Sequence, residues 1–255
     1  MTYSTKGFGW LRDLPDHRDH LYSAPMAALT ALPASVDLRG KCPPVYDQGQ
    51  LGSCTANGIG GALQFERMKQ NLQPEFIPSR LFIYYNERVI EHTVNSDSGA
   101  MIRDGIKSVA KQGDCPETSW PYDISKFTDK PSPLCYKEAL KYKAVQYSRL
   151  LQNLNQMKGC LADGYPFVLG FTVYTSFMSP TVAKTGVVPM PGSSEQVLGG
   201  HCVVAVGYDD ATQRFLIRNS YGDTWGMHGY GTMPYAYLTD PSLSADFWTI
   251  RLVAA

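Results

Sequence analysis

The chain has 255 residues, 44% of them apolar, and its 23 basic residues balance its 23 acidic ones. This length is enough for one large domain or for two closely packed lobes. A net charge of zero without any basic run argues against a nucleic-acid partner, because phosphate binding needs clustered cations. No apolar stretch reaches membrane-spanning length, so no membrane partner is expected.

The first segment, residues 1–31, is rich in charge, proline and alanine, and it carries aromatic side chains at Phe8, Trp10 and Tyr22. These features predict an extension laid over a surface, not an independent fold. The segment has no apolar signal-peptide region. The expected location is therefore the cytoplasm, unless the protein is exported by another route.

Helical patterns dominate the next part of the chain. Residues Cys54–Lys69 place Ala56, Ile59 and Leu63 on one face of a predicted helix. Three glycines in that helix are poor helix formers and suggest that another backbone packs closely against it. Two further helices are predicted within 79–91 and 101–113, whereas 120–137 is rich in turn residues and is predicted to be irregular.

Strand patterns follow after a short predicted helix at 151–163. The segments 166–174, 201–209, 214–220 and 229–238 are rich in β-branched and aromatic residues and are separated by glycine and aspartate. Helices early and strands late predict an α+β protein with a helical lobe and a β lobe.

One cysteine lies where a nucleophile would be useful. Cys54 opens the predicted helix, where the positive end of the helix dipole favours a thiolate. His201 enters a predicted strand after two glycines and is the best candidate for the base. Asn219 can orient the imidazole, and Gln48 can donate to a developing oxyanion together with the backbone N–H of Cys54.

Three sequence blocks, in this order, resemble the signature blocks of the papain family of cysteine peptidases. They are "QGQLGSC", "GGHCVVAVGYD" and "RNSYGDTWGMHGYG", and the likeness runs from about residue 32 to the C-terminus. The start, "GWLRDLPDHRDHLYS", is similar to bacterial members with short N-terminal segments. The resemblance implies a helical left lobe and a β-barrel-like right lobe with the active-site cleft between them.

The resemblance also implies the chemistry. Gln48 would be the oxyanion glutamine, Cys54 the nucleophile, His201 the base and Asn219 the residue that orients the base. The implied activity is that of an endopeptidase that cleaves peptide or protein substrates through an acyl-enzyme. This chemistry needs neither a cofactor nor a metal, and the chain has no CxxC pair that would indicate structural zinc.

Several positions depart from the family pattern. Leu51 replaces a cysteine that usually forms a disulfide in the helical lobe, and Thr55 replaces the tryptophan after the nucleophile. Tyr221 stands where a tryptophan usually follows the asparagine, although Trp225 remains to shield the contact between asparagine and histidine. Ala100 takes the second place of a glycine pair that binds the substrate backbone.

By the same resemblance, an apolar pocket would receive the second residue upstream of the cleaved bond. An apolar substrate side chain is therefore expected at that position. The implied substrate-binding residues are Gly99, Ala100, Met101, Ile102, Gly200, Cys202 and Trp225.

The resemblance divides the chain into an extension, residues 1–31, and a peptidase domain, residues 32–255. Within the domain, about 42–150 would form the helical lobe and about 151–255 the β lobe. The extension is interpreted as a short propeptide that binds the cleft in cis, and the alternative is a structural strap. A monomer is expected.

Other interpretations of these residues stay open. Taken alone, Cys54 would be a buried structural residue. The same triad could transfer an acyl group to an amine, or the protein could be an inactive binding module. Cys115 and Cys135 bracket the irregular region and could form a disulfide, but two free thiols are an equal expectation.

Overall fold

Helices fill most of the first half of the chain and strands most of the second half in the computed structural model, which describes residues 7–254 apart from the side chain of Ala27. None of the described helices has the length and apolarity that a membrane span needs. The helices are α1 (Met26–Thr30), α2 (Cys54–Lys69), α3 (Arg80–Ile90), α4 (Ile102–Lys111), α5 (Pro133–Ala139), α6 (Leu154–Ala162), α7 (Pro180–Thr185) and α8 (Tyr235–Thr239). The strands are β1 (Trp10–Leu11), β2 (Ser35–Asp37), β3 (Ala100–Met101), β4 (Ala144–Arg149), β5 (Phe167–Tyr174), β6 (Val197–Asp209), β7 (Arg214–Arg218), β8 (Tyr230–Pro234) and β9 (Ser244–Val253).

The helical lobe is built around α2, which packs against α3 and α4. Ile59 and Leu63 of α2 are buried in the common core. Helix α3 begins after Ser79, whose hydroxyl accepts a hydrogen bond from the backbone N–H of Phe82 and so satisfies a free donor of the first turn. The three long helices lie where the sequence predicts them.

The β lobe is an antiparallel sheet with the strand order β4-β9-β5-β6-β7-β8, and β2 pairs with β6. Helix α2 packs against β5, β6 and β9, so that one face of the sheet meets the helical lobe. The predicted α+β architecture of two lobes is therefore confirmed.

Some elements differ from the sequence predictions. The strand predicted at 229–238 ends at Pro234, and α8 follows at once. The region predicted to be irregular ends in α5, because Ser132 caps the helix and Pro133 takes its first position, where no N–H is needed. Strands β4 and β9 have no counterpart among the predicted elements, and register shifts in both interrupt the alternation that indicates a strand.

The glycines of α2 make room for side chains, and not for a backbone as predicted. A methyl group at Gly58 would lie 3.0 Å from the sulfur of Cys202 in β6. A methyl group at Gly61 would lie 2.6 Å from the guanidinium of Arg218 in β7. The helix therefore approaches the sheet closely enough to bring its first residue to β6.

Cys115 and Cys135, for which a disulfide was one expectation, are both buried free thiols, and the thiol of Cys135 donates to the carbonyl oxygen of Ser119 at 3.4 Å.

Residues 7–24, which we call the strap, cross from one lobe to the other. Strand β1 of the strap runs parallel to β3 in the helical lobe, with Trp10 opposite Ala100. The ring of Trp10 packs against Gly170 of β5 and Gly200 of β6 in the β lobe. Residues 1–6 of the predicted extension lie outside the described residues.

Buried polar side chains anchor the strap to both lobes. Asp13 accepts hydrogen bonds from the backbone N–H of Arg103 at 3.0 Å and from the indole N–H of Trp248 at 2.9 Å. Asp19 forms ion pairs with Arg103 at 2.6 Å and with Arg149 at 3.1 Å. Removing one partner of such a buried pair leaves an uncompensated charge, so these contacts hold the strap in place.

Candidate active site

Cys54 is the first residue of α2, and its side chain is fully buried. Its sulfur accepts hydrogen bonds from the backbone N–H groups of Gly9 in the strap and of Cys202 in β6. Cys202 directly follows His201, so the sulfur meets β6 at the position where the sequence predicts the base.

His201 and Asn219 are joined by a hydrogen bond of 2.8 Å between Nε2 and Oδ1. The backbone N–H of Ser220 donates to the same Oδ1 at 2.8 Å, which identifies that atom as the amide oxygen. Because Oδ1 can only accept, the proton of the neutral imidazole lies on Nε2. Nδ1 then carries a lone pair, and it has no hydrogen-bond partner within residues 7–254.

Aromatic rings enclose the imidazole. The centroid of Tyr221 lies 4.8 Å from that of His201, and the centroids of Phe171 and Phe177 lie at 5.6 Å and 6.0 Å. Trp225, the predicted shield, packs behind them, with its centroid 6.1 Å from Tyr221 and 6.0 Å from Phe177. Tyr221 therefore contacts the imidazole, and Trp225 forms a second layer.

Gln48 is fully buried in the segment that precedes Cys54. Its carbonyl Oε1 accepts from the hydroxyl of Ser220 at 2.7 Å, which fixes the side-chain amide. Its Nε2 donates to the backbone oxygens of Leu51 at 2.9 Å and of Gly7 in the strap at 3.0 Å. Gln48 thus already donates to a carbonyl oxygen of an extended segment.

Burial decides the protonation of Cys54 and His201. It raises the pKa of the Cys54 thiol to about 12, although the N–H groups of Gly9 and Cys202 lower it in part. It also lowers the pKa of His201 to about 4, against the opposing effect of the hydrogen bond to Asn219. At pH 7 the thiol and the imidazole are therefore both neutral while the strap covers them.

The carbonyl of Gly9 in the strap is not oriented for attack by the Cys54 sulfur. The backbone nitrogen of Gly9 donates to the sulfur, whereas its carbonyl oxygen accepts from the backbone N–H of Ala100 at 2.7 Å. A thiolate attacks a carbonyl carbon whose oxygen points at oxyanion donors. The carbonyl of Gly9 points instead at β3.

The seven predicted substrate-binding residues lie in different parts of the structure, and four of them contact the strap or Cys54. Gly99 and Ala100 contact Gly9, Gly200 contacts Trp10, and Cys202 contacts Cys54. Met101 donates its backbone N–H to Glu91, Ile102 is buried in the core at the start of α4, and Trp225 lies behind Tyr221.

Three further residues shape the site and are absent from the sequence predictions. Ser220 fixes Gln48 and the amide of Asn219, while Gly170 and Asp246 contact Trp10 of the strap. An isolated glycine within the strand pattern 166–174 is the available signal for Gly170, because such a glycine often marks a close approach. The sequence offers no comparable signal for Asp246.

A family model described as "Papain family cysteine protease" matches residues 32–238. The chain belongs to the papain family of cysteine proteases. It is 48% identical to xylellain, a cysteine protease from Xylella fastidiosa, whose crystal structure covers 97% of this chain and 96% of its own with a TM-score of 0.91.

Two curated proteins extend this comparison. An uncharacterized peptidase C1-like protein of Acanthamoeba polyphaga mimivirus is 41% identical over 98% of this chain and 88% of its own length. A cathepsin B-like protein of Giardia intestinalis is 32% identical over 79% of this chain and 69% of its own length. The predictions of the family and of a cysteine endopeptidase are thus confirmed.

Proposed function

We propose that Cys54, His201, Asn219 and Gln48 together hydrolyse peptide bonds. The Cys54 thiolate attacks the peptide carbonyl carbon, and Gln48 with the Cys54 N–H binds the resulting oxyanion. The His201 imidazolium protonates the leaving amine, which departs and leaves an acyl-enzyme. Neutral His201 then takes a proton from water while the resulting hydroxide attacks the acyl carbon, and collapse of the tetrahedral intermediate releases the carboxylic acid and regenerates the Cys54 thiolate beside the His201 imidazolium. All four residues belong to one chain, so a monomer suffices.

One observation carries this proposal. The sulfur of Cys54 accepts the N–H of the residue that follows His201, and the ring of His201 is bound through Nε2 to Asn219. The free Nδ1 is the only ring nitrogen left to exchange a proton with the thiol.

In the same proposal, the extension 1–31 is a propeptide that inhibits the peptidase domain 32–255 in cis. The support is that Gly9 covers the sulfur and that the carbonyl of Gly7 occupies the Gln48 donor. The chain would therefore be made as a zymogen, and activity requires that the strap leaves the cleft.

The proposed substrates are peptides with an apolar side-chain body two residues before the cleaved bond. Trp10 occupies the place proposed for this substrate residue, because it follows Gly9 in the strap and pairs with Ala100. Trp10 is 7% exposed, and its ring packs beside Gly170 and Gly200.

Replacing Gln48 with alanine is expected to lower kcat by about 10²- to 10³-fold, the typical effect of losing one oxyanion donor. KM should change much less, because the donor acts mainly on the charge that develops in the transition state. The measurement is steady-state hydrolysis of a fluorogenic peptide, with Gly9→Ala as the background that opens the cleft. Gln50→Ala, an exposed change in the same loop, is the matched control. Equal effects of the two changes would contradict the oxyanion role.

The experiment that tests the catalytic pair measures alkylation of Cys54 by iodoacetamide between pH 5 and pH 9, with mass spectrometry of the labelled peptide. In the full chain the rate should be low and rise with pH, because burial raises the pKa of this thiol to about 12. In Gly9→Ala, whose added methyl carbon would lie 1.6 Å from the carbonyl oxygen of Gly52 and so displace the strap, the rate should be high and nearly constant with pH. The reason is that an exposed thiolate paired with imidazolium has a lowered pKa.

Adding His201→Ala to Gly9→Ala should restore a rise with pH near the ordinary thiol pKa of about 8.5. If the open variant with His201 intact also titrates as an ordinary thiol, the proposed pair does not exist. An exposed glycine change, Gly40→Ala, is the control for Gly9→Ala, because nothing lies within 4 Å of the added methyl group.

A further inference from the structure

One tyrosine hydroxyl joins the two ends of the segment that precedes Cys54. The hydroxyl oxygen of Tyr122 lies 3.0 Å from the backbone carbonyl oxygen of Gln48 and 2.5 Å from the hydroxyl oxygen of Ser53. Gln48 carries one of the two proposed oxyanion donors. Ser53 directly precedes Cys54, whose backbone N–H is the other proposed donor. The Tyr122 hydroxyl therefore binds the chain close to both donors.

The direction of each hydrogen bond at this hydroxyl follows from the groups present. The carbonyl oxygen of Gln48 can only accept, so the hydroxyl of Tyr122 donates to it. The hydroxyl of Ser53 then donates to the phenol oxygen and accepts from the side-chain amide of Asn57 at 3.1 Å. The same amide donates to the backbone oxygen of Ser53 at 2.9 Å. These hydrogen bonds form a chain with one consistent direction that ends at Gln48.

Arg80, the first residue of α3, holds the ring that carries this hydroxyl. Its guanidinium carbon lies 4.0 Å from the centroid of the Tyr122 ring, which is a cation–π contact. Two nitrogens of Arg80 bind the carboxylate of Glu117 at 2.8 Å and 2.9 Å, and the third donates to Asn57 at 3.1 Å. Arg80 is buried, and a planar guanidinium held by a bidentate pair has a fixed orientation. The phenol ring therefore rests on a rigid support.

The β lobe binds the same segment from the other side. The backbone N–H of Gln48 donates to the carbonyl oxygen of Ser220 at 2.9 Å, whereas its carbonyl oxygen accepts from Tyr122 in the helical lobe. The peptide groups of Gln48 are thus held from both lobes. Two oxyanion donors act together only when their spacing fits the transition state, and a misplacement of about 1 Å can cost on the order of 100-fold in rate.

We propose that Tyr122 is a positioning residue that sets the spacing between the two oxyanion donors, the side-chain amide of Gln48 and the backbone N–H of Cys54. Its hydroxyl acts through Gln48 and Ser53, and not on the substrate. Without the hydroxyl, one donor can move relative to the other, which weakens binding of the oxyanion more than binding of the uncharged carbonyl. This inference rests on the proposed function and adds to it a residue from the turn-rich region 120–137.

The test replaces Tyr122 with phenylalanine in the Gly9→Ala background and measures hydrolysis of a fluorogenic peptide. We expect kcat to fall about tenfold, the effect typical of losing one hydrogen bond, with little change in KM. Tyr136→Phe is the matched control, because its hydroxyl also donates at 3.0 Å within the helical lobe, but to Asn86. That variant should retain the kcat of the background. Equal kcat in Tyr122→Phe and in the background would overturn the inference.

A double-mutant cycle shows whether the effect passes through the oxyanion donors. When Gln48→Ala has removed one donor, no spacing between two donors is left to hold. Adding Tyr122→Phe to Gln48→Ala should therefore lower kcat by less than about threefold. A further tenfold loss in that variant would contradict the positioning role. If Gln48→Ala itself fails to lower kcat, the proposed function is contradicted, and the inference with it.

Alkylation of Cys54 separates positioning from damage to the thiolate. Iodoacetamide reacts at a saturated carbon and forms no oxyanion, so its reaction needs the thiolate and not the two donors. The rate in Tyr122→Phe should therefore equal that of the Gly9→Ala background between pH 5 and pH 9. A lower rate in Tyr122→Phe would mean that the hydroxyl acts on the sulfur or on the fold, and would overturn the inference.

Ser53→Ala keeps the inference testable if Tyr122→Phe does not fold. This change removes the hydrogen bond to the phenol oxygen and so frees the Cys54 end of the segment from Tyr122. We expect kcat to fall about three- to tenfold, and by less than that when Gln48→Ala is already present. An unchanged kcat in Ser53→Ala would contradict the inference.

Discussion

Replacing Cys54 with alanine is expected to lower peptide hydrolysis by about 10⁴-fold or more, because the proposed acyl-enzyme cannot form without the sulfur. The assay is hydrolysis of a fluorogenic peptide, with Gly9→Ala as the common background so that the cleft is open. The fold should persist, since the change removes one atom at the start of α2 and leaves the buried face of that helix intact.

The matched control is Cys42→Ala, which removes a partly exposed free thiol that donates to the carbonyl oxygen of Leu38 and is not one of the proposed catalytic residues. This variant should retain the activity of the background. Residual hydrolysis by Cys54→Ala within tenfold of the background would mean that another group is the nucleophile. A thermal melt of each variant separates loss of chemistry from loss of fold.

Replacing Gly9 with alanine is expected to raise hydrolysis by the full chain by roughly 5- to 150-fold. A methyl carbon on Gly9 would lie 1.6 Å from the carbonyl oxygen of Gly52, so that β1 is destabilised against the loop that precedes Cys54. An overlap of this kind typically costs about 1–3 kcal/mol, which corresponds to roughly 5- to 150-fold in the ratio of open to closed molecules. Initial rates at equal protein concentration provide the measurement.

Gly40→Ala adds the same methyl group in open space and should leave the rate unchanged. Trp10→Ala offers an independent route, because it removes the ring that fills the pocket and the donor to Asp246. Unchanged rates in both Gly9→Ala and Trp10→Ala would favour a structural strap over an inhibitory propeptide.

The sequence permitted prediction of the elements with strong local patterns. Helix α2 keeps its predicted bounds, Cys54–Lys69, and β5 and β7 lie within their predicted segments. The four residues proposed for catalysis were identified from their local context in three blocks. They lie on a loop, a helix start, a strand and a strand end, and long-range hydrogen bonds join Gln48 to Ser220 and His201 to Asn219.

The remaining features depend on contacts that no local pattern records. Asp246 belongs to β9, whose bulge breaks the alternation of apolar residues, and its role appears only when Trp10 arrives from 236 positions earlier in the chain. Likewise, the aromatic residues of the extension indicated contacts with the surface of the domain. They did not indicate that Trp10 enters a pocket between the lobes. Tertiary packing decided both cases.

Strand β1 and the groove it fills are parts of one polypeptide, and under the proposed propeptide role this connection fixes the stoichiometry of inhibition. Each molecule would then carry its own inhibitor, so closing would be a unimolecular equilibrium governed by the tether and the anchoring contacts. Dilution would leave the closed fraction unchanged, unlike the case of an inhibitor supplied by a separate gene product. A cell that makes this enzyme would then need no balanced expression of a second protein to keep the thiol unreactive.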